Sequence, residues 1–455
     1  MLNDDEQAIF RRLTSKLGNG RSRLDTLDAY YEGTQRLEQL GLAVPPALRK
    51  FTVVVNWPRV TADSVEERID LEGFLLSGQT SPDGDLWRIW QANDLDEESQ
   101  LAHLDALVFG RSLVVVGANE DDDDTPLVTV ESPREMAYEL DPRTRQVAAA
   151  VKVYGRDNPT GPAQYATLYL PDRTIWLERP TRGGRWQEST EHERDEHELG
   201  AVPVVPLLNR SRTANRDGVS EMADVISLTD AAARALTDAQ LATETLAVPK
   251  RFVLNASKGD FVDQNGQPLT AWEAYFGAFS ALANKDADVK QLPAADLSNF
   301  TEIVNHYAQL VSGLSGVPAS HLGFHTDNPA SADAIRASEA RLVKKCERKA
   351  KAWSGSWEQV MRLVRRIQTG EWDESLRQME AVWRDPATPT QAQKADAVVK
   401  LHGAGILPTE AAWEDLGYSP ERRKKLREQR SSEASDPIAS ALLRDAGVIG
   451  SDEGA

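Results

Sequence analysis

One cysteine, Cys346, is all the sulfhydryl chemistry this 455-residue chain has. A single thiol excludes an intramolecular disulfide and any cysteine-based zinc site. No stretch comes near the roughly 20 consecutive apolar residues needed to cross a bilayer, so no membrane segment is expected. The first residues, Met1-Leu2-Asn3-Asp4-Asp5-Glu6, are acidic and carry no apolar core, which argues against a secretory leader. A soluble protein made in the cytoplasm is expected. Positive charge is also in short supply: 52 Lys and Arg stand against 71 Asp and Glu, a net charge of −19. A conventional DNA-binding module would be basic over its contact face. Acidity does not exclude a surface past which DNA must slide without sticking.

The signatures of catalysis are missing too. There is no G-x-x-x-x-G-K-[ST] loop to cradle phosphates. Gly313-Leu314-Ser315-Gly316 has the wrong spacing for a nucleophile elbow. His192 and His197 flank a charged run but lie five residues apart; zinc ligands of the H-E-x-x-H type lie four apart, on one helical face. The acidic run Asp121–Asp124 sits between two strand-like segments and reads as a solvated hairpin tip. Cys346 falls on the apolar stripe of a helix and reads as structural, although Lys344, Lys345 and Arg348 beside it would favour a thiolate. No enzyme activity, cofactor or metal is expected.

Hydrophobic residues at 40% and charged residues at 27% describe a globular protein long enough for two or three structural units. Residues 3–41 read as two helices broken at Gly18-Asn19-Gly20. A further helix should open near Pro58, hold Ile69 and close before Gly73. Helices at about 84–91 and 94–109 lead into a strand at Arg111–Gly117. Short strands dominate to about 210, with Tyr165–Leu177 folding back at Pro171-Asp172. After Gly218 a helix of about 28 residues is expected, its stripe rich in small side chains, ending at Pro249. A compact segment follows, with strands at Arg251–Leu254 and Val289–Leu292 around a helix near 271–283. A second helix, from about Leu297 to Leu314, places Phe300, Ile303, Tyr307, Leu310 and Leu314 in register.

A Gly-, Ser-, Pro- and His-rich loop then precedes the longest helical pattern, Ser331 to Thr369. There Leu342, Cys346, Ala350, Trp353, Trp357, Val360, Val364 and Ile367 recur at steps of three and four. Ser354-Gly355-Ser356 marks a kink in it. Trp353, Trp357 and Trp383 read as packing residues. This stretch carries +6, against −25 for the remainder. Its basic residues either pair with acidic groups across a subunit interface or lie near nucleic acid. Short helices with Pro and Gly breaks occupy the end from Pro386, and the tail after Ser431 is polar. The whole is an α+β fold, predominantly helical.

Five segments in order resemble the portal proteins of tailed bacteriophages, in the group with long chains not fused to a prohead protease. They are LDAYYEG (27–33), NWPRVTADSVEERIDLEGF (56–74), FGRSLVVVG (109–117), GAVPVVPLLNR (200–210) and SGLSGVPASHLGFHTDNPASADAIRASEARLVKK (312–345). The resemblance implies a homo-oligomeric ring at one capsid vertex, usually of twelve subunits. Double-stranded DNA would enter and leave through that ring without sequence recognition. The ring would dock the terminase large subunit and later the head–tail connector, among major capsid and scaffolding proteins, in the virion. The absent ATPase motif fits, because the motor is then another protein.

The same resemblance implies a wing (1–217), stem helices (218–247 and 296–315) and an α/β clip (248–295). It also implies a tunnel loop (316–331), a long kinked wing helix (331–385), a helical crown (386–432) and a loose tail (433–455). Phe324, His325, Thr326, Asp327 and Asn328 would line the channel. Leu236, Leu246, Ile303, Tyr307, Val311 and Leu314 would pack the stem and join subunits. Lys250, Arg251, Trp272 and Tyr275 would form the docking face of the clip. Without the resemblance, a self-associating helical adaptor or scaffold with no DNA channel stays open, and the loop reads simply as the cap of a helix, with Ser331 as N-cap.

Overall fold

The computed structural model describes residues 2–35, 53–79, 81–122, 124–156, 163–179, 184–246, 251–254, 288–291, 298–323, 331–387, 391–418 and 420–435. Two compact units are distinguished, Met1–Pro386 and Ala387–Ala455.

The first unit begins with α1 (Asp4–Tyr31), α2 (Trp57–Glu66), β1 (Leu71–Leu75), α3 (Gly84–Ala92) and α4 (Leu95–Phe109). Strands follow: β2 (Arg111–Gly117), β3 (Leu127–Glu131), β4 (Met136–Leu140), β5 (Val147–Arg156), β6 (Ala163–Tyr169), β7 (Thr174–Glu178), β8 (Gln187–Glu188) and β9 (Val204–Leu208). Next come α5 (Ile226–Leu246), β10 (Arg251–Leu254), β11 (Asp288–Gln291), α6 (Ser298–Ser315), α7 (Ala332–Thr369) and β12 (Glu380–Trp383). The second unit holds α8 (Gln391–Gly403), α9 (Thr409–Asp415) and α10 (Pro420–Ser435).

Helix α1 opens with a reciprocal cap. Glu6 N–H donates to the Asn3 side chain at 2.8 Å, and Asn3 N–H donates to the Glu6 carboxylate at 2.9 Å. The helix then runs unbroken through Gly18-Asn19-Gly20, where the sequence predicts a break. Both glycines face open space, with nothing within 4 Å of a built Cβ. Each costs about 1 kcal/mol of helix propensity. Burying Leu13, Leu17, Leu24 and Leu27 is worth about 1.5–3 kcal/mol apiece and outweighs that cost.

Sheet order explains where the apolar runs go. The five-stranded antiparallel sheet β4-β5-β6-β7-β8 is covered on one face by Phe10, Leu13 and Leu17 of α1. Its other face, through Met136, Tyr138 and Ala150, meets Leu113 and Val115 of the sheet β3-β2-β9. Alternate residues of β2, Val114 and Val116, enter the largest core instead. A strand buried on both faces needs an uninterrupted apolar run, and that is what Leu113–Val116 supplies.

Two expectations in this region are corrected. The helix opening at Pro58 ends at Glu66 and does not include Ile69; residues 71–75 form β1, antiparallel to β12. A partner some three hundred residues away outweighs the local helical pattern. Helix α5 starts at Ile226 and not just after Gly218, because Val219 and Glu221 donate their N–H groups to Asn209 and Leu107 carbonyls at 2.9 and 2.8 Å. Gly218 is required at that turn. It has φ +77°, and a Cβ there would lie 1.9 Å from the Gly110 carbonyl oxygen.

Helix α7 is the spine of the main core. Leu342, Cys346, Trp353, Trp357, Val360 and Val364 are all buried, as their spacing predicts. Helical assignment is continuous through Ser354-Gly355-Ser356. These small residues serve close packing: Trp383 donates its indole N–H to Ser354 Oγ at 2.8 Å, and Ser356 Oγ donates to the Pro206 carbonyl at 3.0 Å. His103, fully buried, stacks on Trp353 at 4.7 Å and accepts the Trp357 indole N–H at 2.9 Å. Burial pushes its pKa down to about 3, so it is neutral. The three tryptophans therefore pack helices, as expected from sequence. In the second unit Arg427 grips Glu410 through two bonds of 2.7 Å.

Candidate functional site

Helix α6 carries one wide apolar stripe, buried along one edge and exposed along the other. Val311 is fully buried, Ala308 and Ser315 are buried, and Val304 and Tyr307 pack against the main core. Along its outer edge Ile303, Leu310 and Leu314 are 44, 41 and 54% exposed. They recur at steps of seven and four, the spacing of one helical stripe. An amphipathic helix needs one apolar face for its own core. The outer edge of this stripe is left half-open among the described residues of the chain.

The end of α6 is fastened to α7. Arg341 donates to the carbonyls of Gly313 and Leu314, and Lys345 donates to that of Ser315. Cations thus satisfy the orphan carbonyls at the negative end of the helix dipole. Val317 is fully buried, and a short 3-10 turn at Ala319–Leu322 follows. His321 Nδ1 lies 3.4 Å from Ser64 Oγ, and Arg68 pairs with Glu339 at 3.1 Å beside it. Helix α7 then opens with the Ser331 side chain accepting from Ala334 N–H at 3.2 Å, the cap expected from sequence. The two ends of the loop 324–330 are therefore both anchored on the main core. Phe324, His325, Thr326, Asp327 and Asn328 themselves lie outside the described residues.

Beneath this junction sits a buried polar cluster the sequence reading missed. Glu221, 5% exposed, receives Lys345 at 2.7 Å and Lys349 at 2.6 Å. Asn209 donates to Glu221 at 3.2 Å and to the Val219 carbonyl at 2.8 Å, and accepts from Lys349. Burial alone would raise the Glu221 carboxyl, but the two ammonium groups outweigh it and hold the pKa down at about 2. The cluster ties the ends of α4 and β9 to the start of α5 and to α7. The signal was present in the sequence. Lys345 and Lys349 adjoin Cys346 and Ala350 of the apolar stripe, and a lysine drawn into a core needs a carboxylate.

Other predicted positions divide as follows. Leu236 is half-buried, and the side chain of Leu246 lies outside the described residues. Val311 faces the interior of its own protomer, so it packs the helix and is not available to a second subunit; Leu314 is. Arg251 pairs with Gln291 across the antiparallel strands β10 and β11, with its side chain not described. Lys250, Trp272 and Tyr275 lie outside the described residues. His192 is exposed beside Trp176, while His197 accepts the Leu199 N–H at 3.2 Å. Among the described residues no group of three or more His, Cys, Asp or Glu side chains is placed to hold a metal. No described helix is long and apolar enough to cross a membrane. Cys346 is buried, and burial pushes its thiol up to about 11.

A family model described as "Phage portal protein, SPP1 Gp6-like" matches residues 12–435. The portal protein of Mycobacterium phage L5 is 37% identical over 443 residues, covering 95% of this chain and 90% of the relative. That of Mycobacterium phage D29 is 39% identical over 443 residues, covering 94% and 90%. Among solved structures, a chain of the virion of a native gene transfer agent particle aligns with TM-score 0.49 at 14% identity. That alignment covers 87% of this chain and 99% of the other. A match running from within α1 to the last residue of α10 takes in every element that frames the loop, the apolar stripe of α6 and the polar cluster. The chain belongs to the SPP1 Gp6-like phage portal protein family.

Proposed function

We propose that this chain forms the portal ring at one vertex of a phage capsid, through which double-stranded DNA is packaged and later ejected. The observation that carries the reading is the family relationship along nearly the whole chain. Residues 1–217 form the wing and 218–247 with 296–315 the stem. Residues 248–295 form the clip, 316–331 the tunnel loop, 331–385 the long wing helix and 386–432 the crown. The exposed stripe of α6 supports the ring: an apolar face left open on a stem helix is suited to burial against the next subunit. Net negative charge suits a conduit, since each phosphate neutralised by the wall would add a sticky contact.

In this reading the ring docks the terminase large subunit and afterwards the head–tail connector. It works among capsid and scaffolding proteins and ends in the virion after synthesis in the bacterial host. Its role is structural, and the energy for packaging comes from the separate terminase. Deleting 324–328 tests the channel role. The loop's flanks are each anchored independently on the core, so rings should assemble normally while packaging or DNA retention falls. Unimpaired packaging by the deletion variant would contradict the assignment of the loop.

A further inference from the structure

Helix α7 concentrates positive charge in a chain that is otherwise acidic, and only part of that charge is used inside the protomer. Lys345 and Lys349 serve Glu221, Arg362 serves Glu358, and Arg365 serves Asp85. The N-terminal half is different. Arg341, Lys344, Arg348 and Lys351 recur at steps of three, four and three, on one exposed face. Arg341 is committed to carbonyls of α6, and Lys344 reaches Glu347 of its own helix. Arg348 and Lys351 meet no acceptor among the described residues. Arg341, Lys344 and Arg348 form one wall of an open cavity of about 520 Å³. Arg210, Lys345 and Lys349 also line it, with Glu221 and Asp224 as the acidic lining residues. Leu314, the most exposed residue of the α6 stripe, belongs to the same cavity.

We infer that this basic wall and the adjoining apolar stripe of α6 form one docking surface for an acidic, apolar-edged face of a second copy of this chain. The inference rests on the ring reading and gives its contact a charge code. A row of half-exposed Ile and Leu beside cations suits a protein partner, whose interfaces combine an apolar centre with a polar rim. A phosphate backbone gains nothing from Leu310 or Leu314. A second copy of the chain supplies charge of the opposite sign, because everything outside 331–369 sums to −25.

The same charges bear on the symmetry. A two-fold dimer centred on Arg348 and Lys351 would set these cations against their own copies, with no carboxylate between them. Pairing the basic wall with a separate acidic face makes the contact head-to-tail, which closes as a ring or continues as a filament. Assembly then depends on salt, because these cations are exposed and screening shortens their reach from about 10 Å at 0.1 M to about 3 Å at 1 M.

The test is the double variant Lys344→Glu, Arg348→Glu, at positions outside the buried cluster. Mass photometry across a concentration series, at low and high NaCl, reads assembly; circular dichroism melts of the dissociated subunit read folding. The variant should melt like wild type, yet need about tenfold or more protein for half-assembly. Wild-type rings should weaken in high salt. If the charge reversal itself disturbs folding, the neutral pair Lys344→Gln, Arg348→Gln should give a smaller shift in the same direction. A folded variant that assembles at wild-type concentrations overturns the docking surface alone. Lost binding of a fluorescent DNA duplex with assembly unchanged overturns it in favour of a DNA contact. Wild-type protein that stays monomeric throughout overturns the ring reading and this one together.

Discussion

Replacing Glu221 by Gln probes the cluster that joins α4, β9, α5 and α7. The substitution keeps the shape of the side chain and removes its charge. Lys349, 9% exposed, would then face the interior with only neutral oxygens, of Asn209 and of the new amide, and no counter-charge from residue 221. Breaking a buried ion pair by removing one partner costs about 3–5 kcal/mol. Lys345 keeps the Ser315 carbonyl and more access to water, so the lower end, about 3 kcal/mol, is expected. At about 2.1 cal/mol/K per residue, the 386-residue unit has a melting entropy near 0.8 kcal/mol/K, giving a drop of about 4 °C. Thermal unfolding of the dissociated subunit by circular dichroism measures it.

Removing both charges, with Glu221→Gln and Lys349→Met together, should recover more than half of the loss. The pH dependence has a defined sign. Glu221 has its pKa held down at about 2 by the two ammonium groups against the opposing effect of burial. Its contribution is therefore present above the ordinary carboxylate range and is lost as pH falls toward 2. The variant should lack that acid-side decline. A melt within 1 °C of wild type, with the same acid profile, would refute the idea that this cluster is dry and structural.

Leu314→Asp should leave the protomer folded and abolish assembly, because that residue is 54% exposed. Val311→Asp, in the closed core, should instead prevent folding, as a buried unpaired carboxylate does. Gel filtration and melts of the two proteins separate these outcomes; assembly by the Leu314 variant would count against the stripe. Cys346 should resist thiol reagents in the native state at pH 8 and react on denaturation, since burial both covers the thiol and raises its pKa. Fast native labelling would contradict the packing of α7.

Where local pattern and tertiary packing agree, the sequence was enough. The strand at Arg111–Gly117, the turn at Pro171-Asp172 and the stripe from Leu342 to Val364 were all legible, because their apolar spacing is their reason for folding. Residues whose role depends on a distant partner were not. Leu71–Leu75 becomes a strand only because Glu380–Trp383 lies beside it. Ser354-Gly355-Ser356 stands out in the sequence as small residues in a helix, but that they admit Trp383 and the β9 backbone depends on partners far along the chain.

Val311 and Leu314 occupy the same apolar pattern, and nothing in their spacing tells which meets its own core and which is left open. Glu221 is an isolated carboxylate among many in an acidic chain. Its importance appears only when Lys345 and Lys349 are seen to converge on it.

Negative-stain electron microscopy of the purified protein, with mass photometry on the same sample, tests the central claim most directly. The account predicts end-on rings with an open axis and a mass of about 600 kDa, twelve copies of the 50.2 kDa chain, or that of one copy more. Small closed oligomers with no axial hole would contradict it and return the chain to the class of self-associating adaptors.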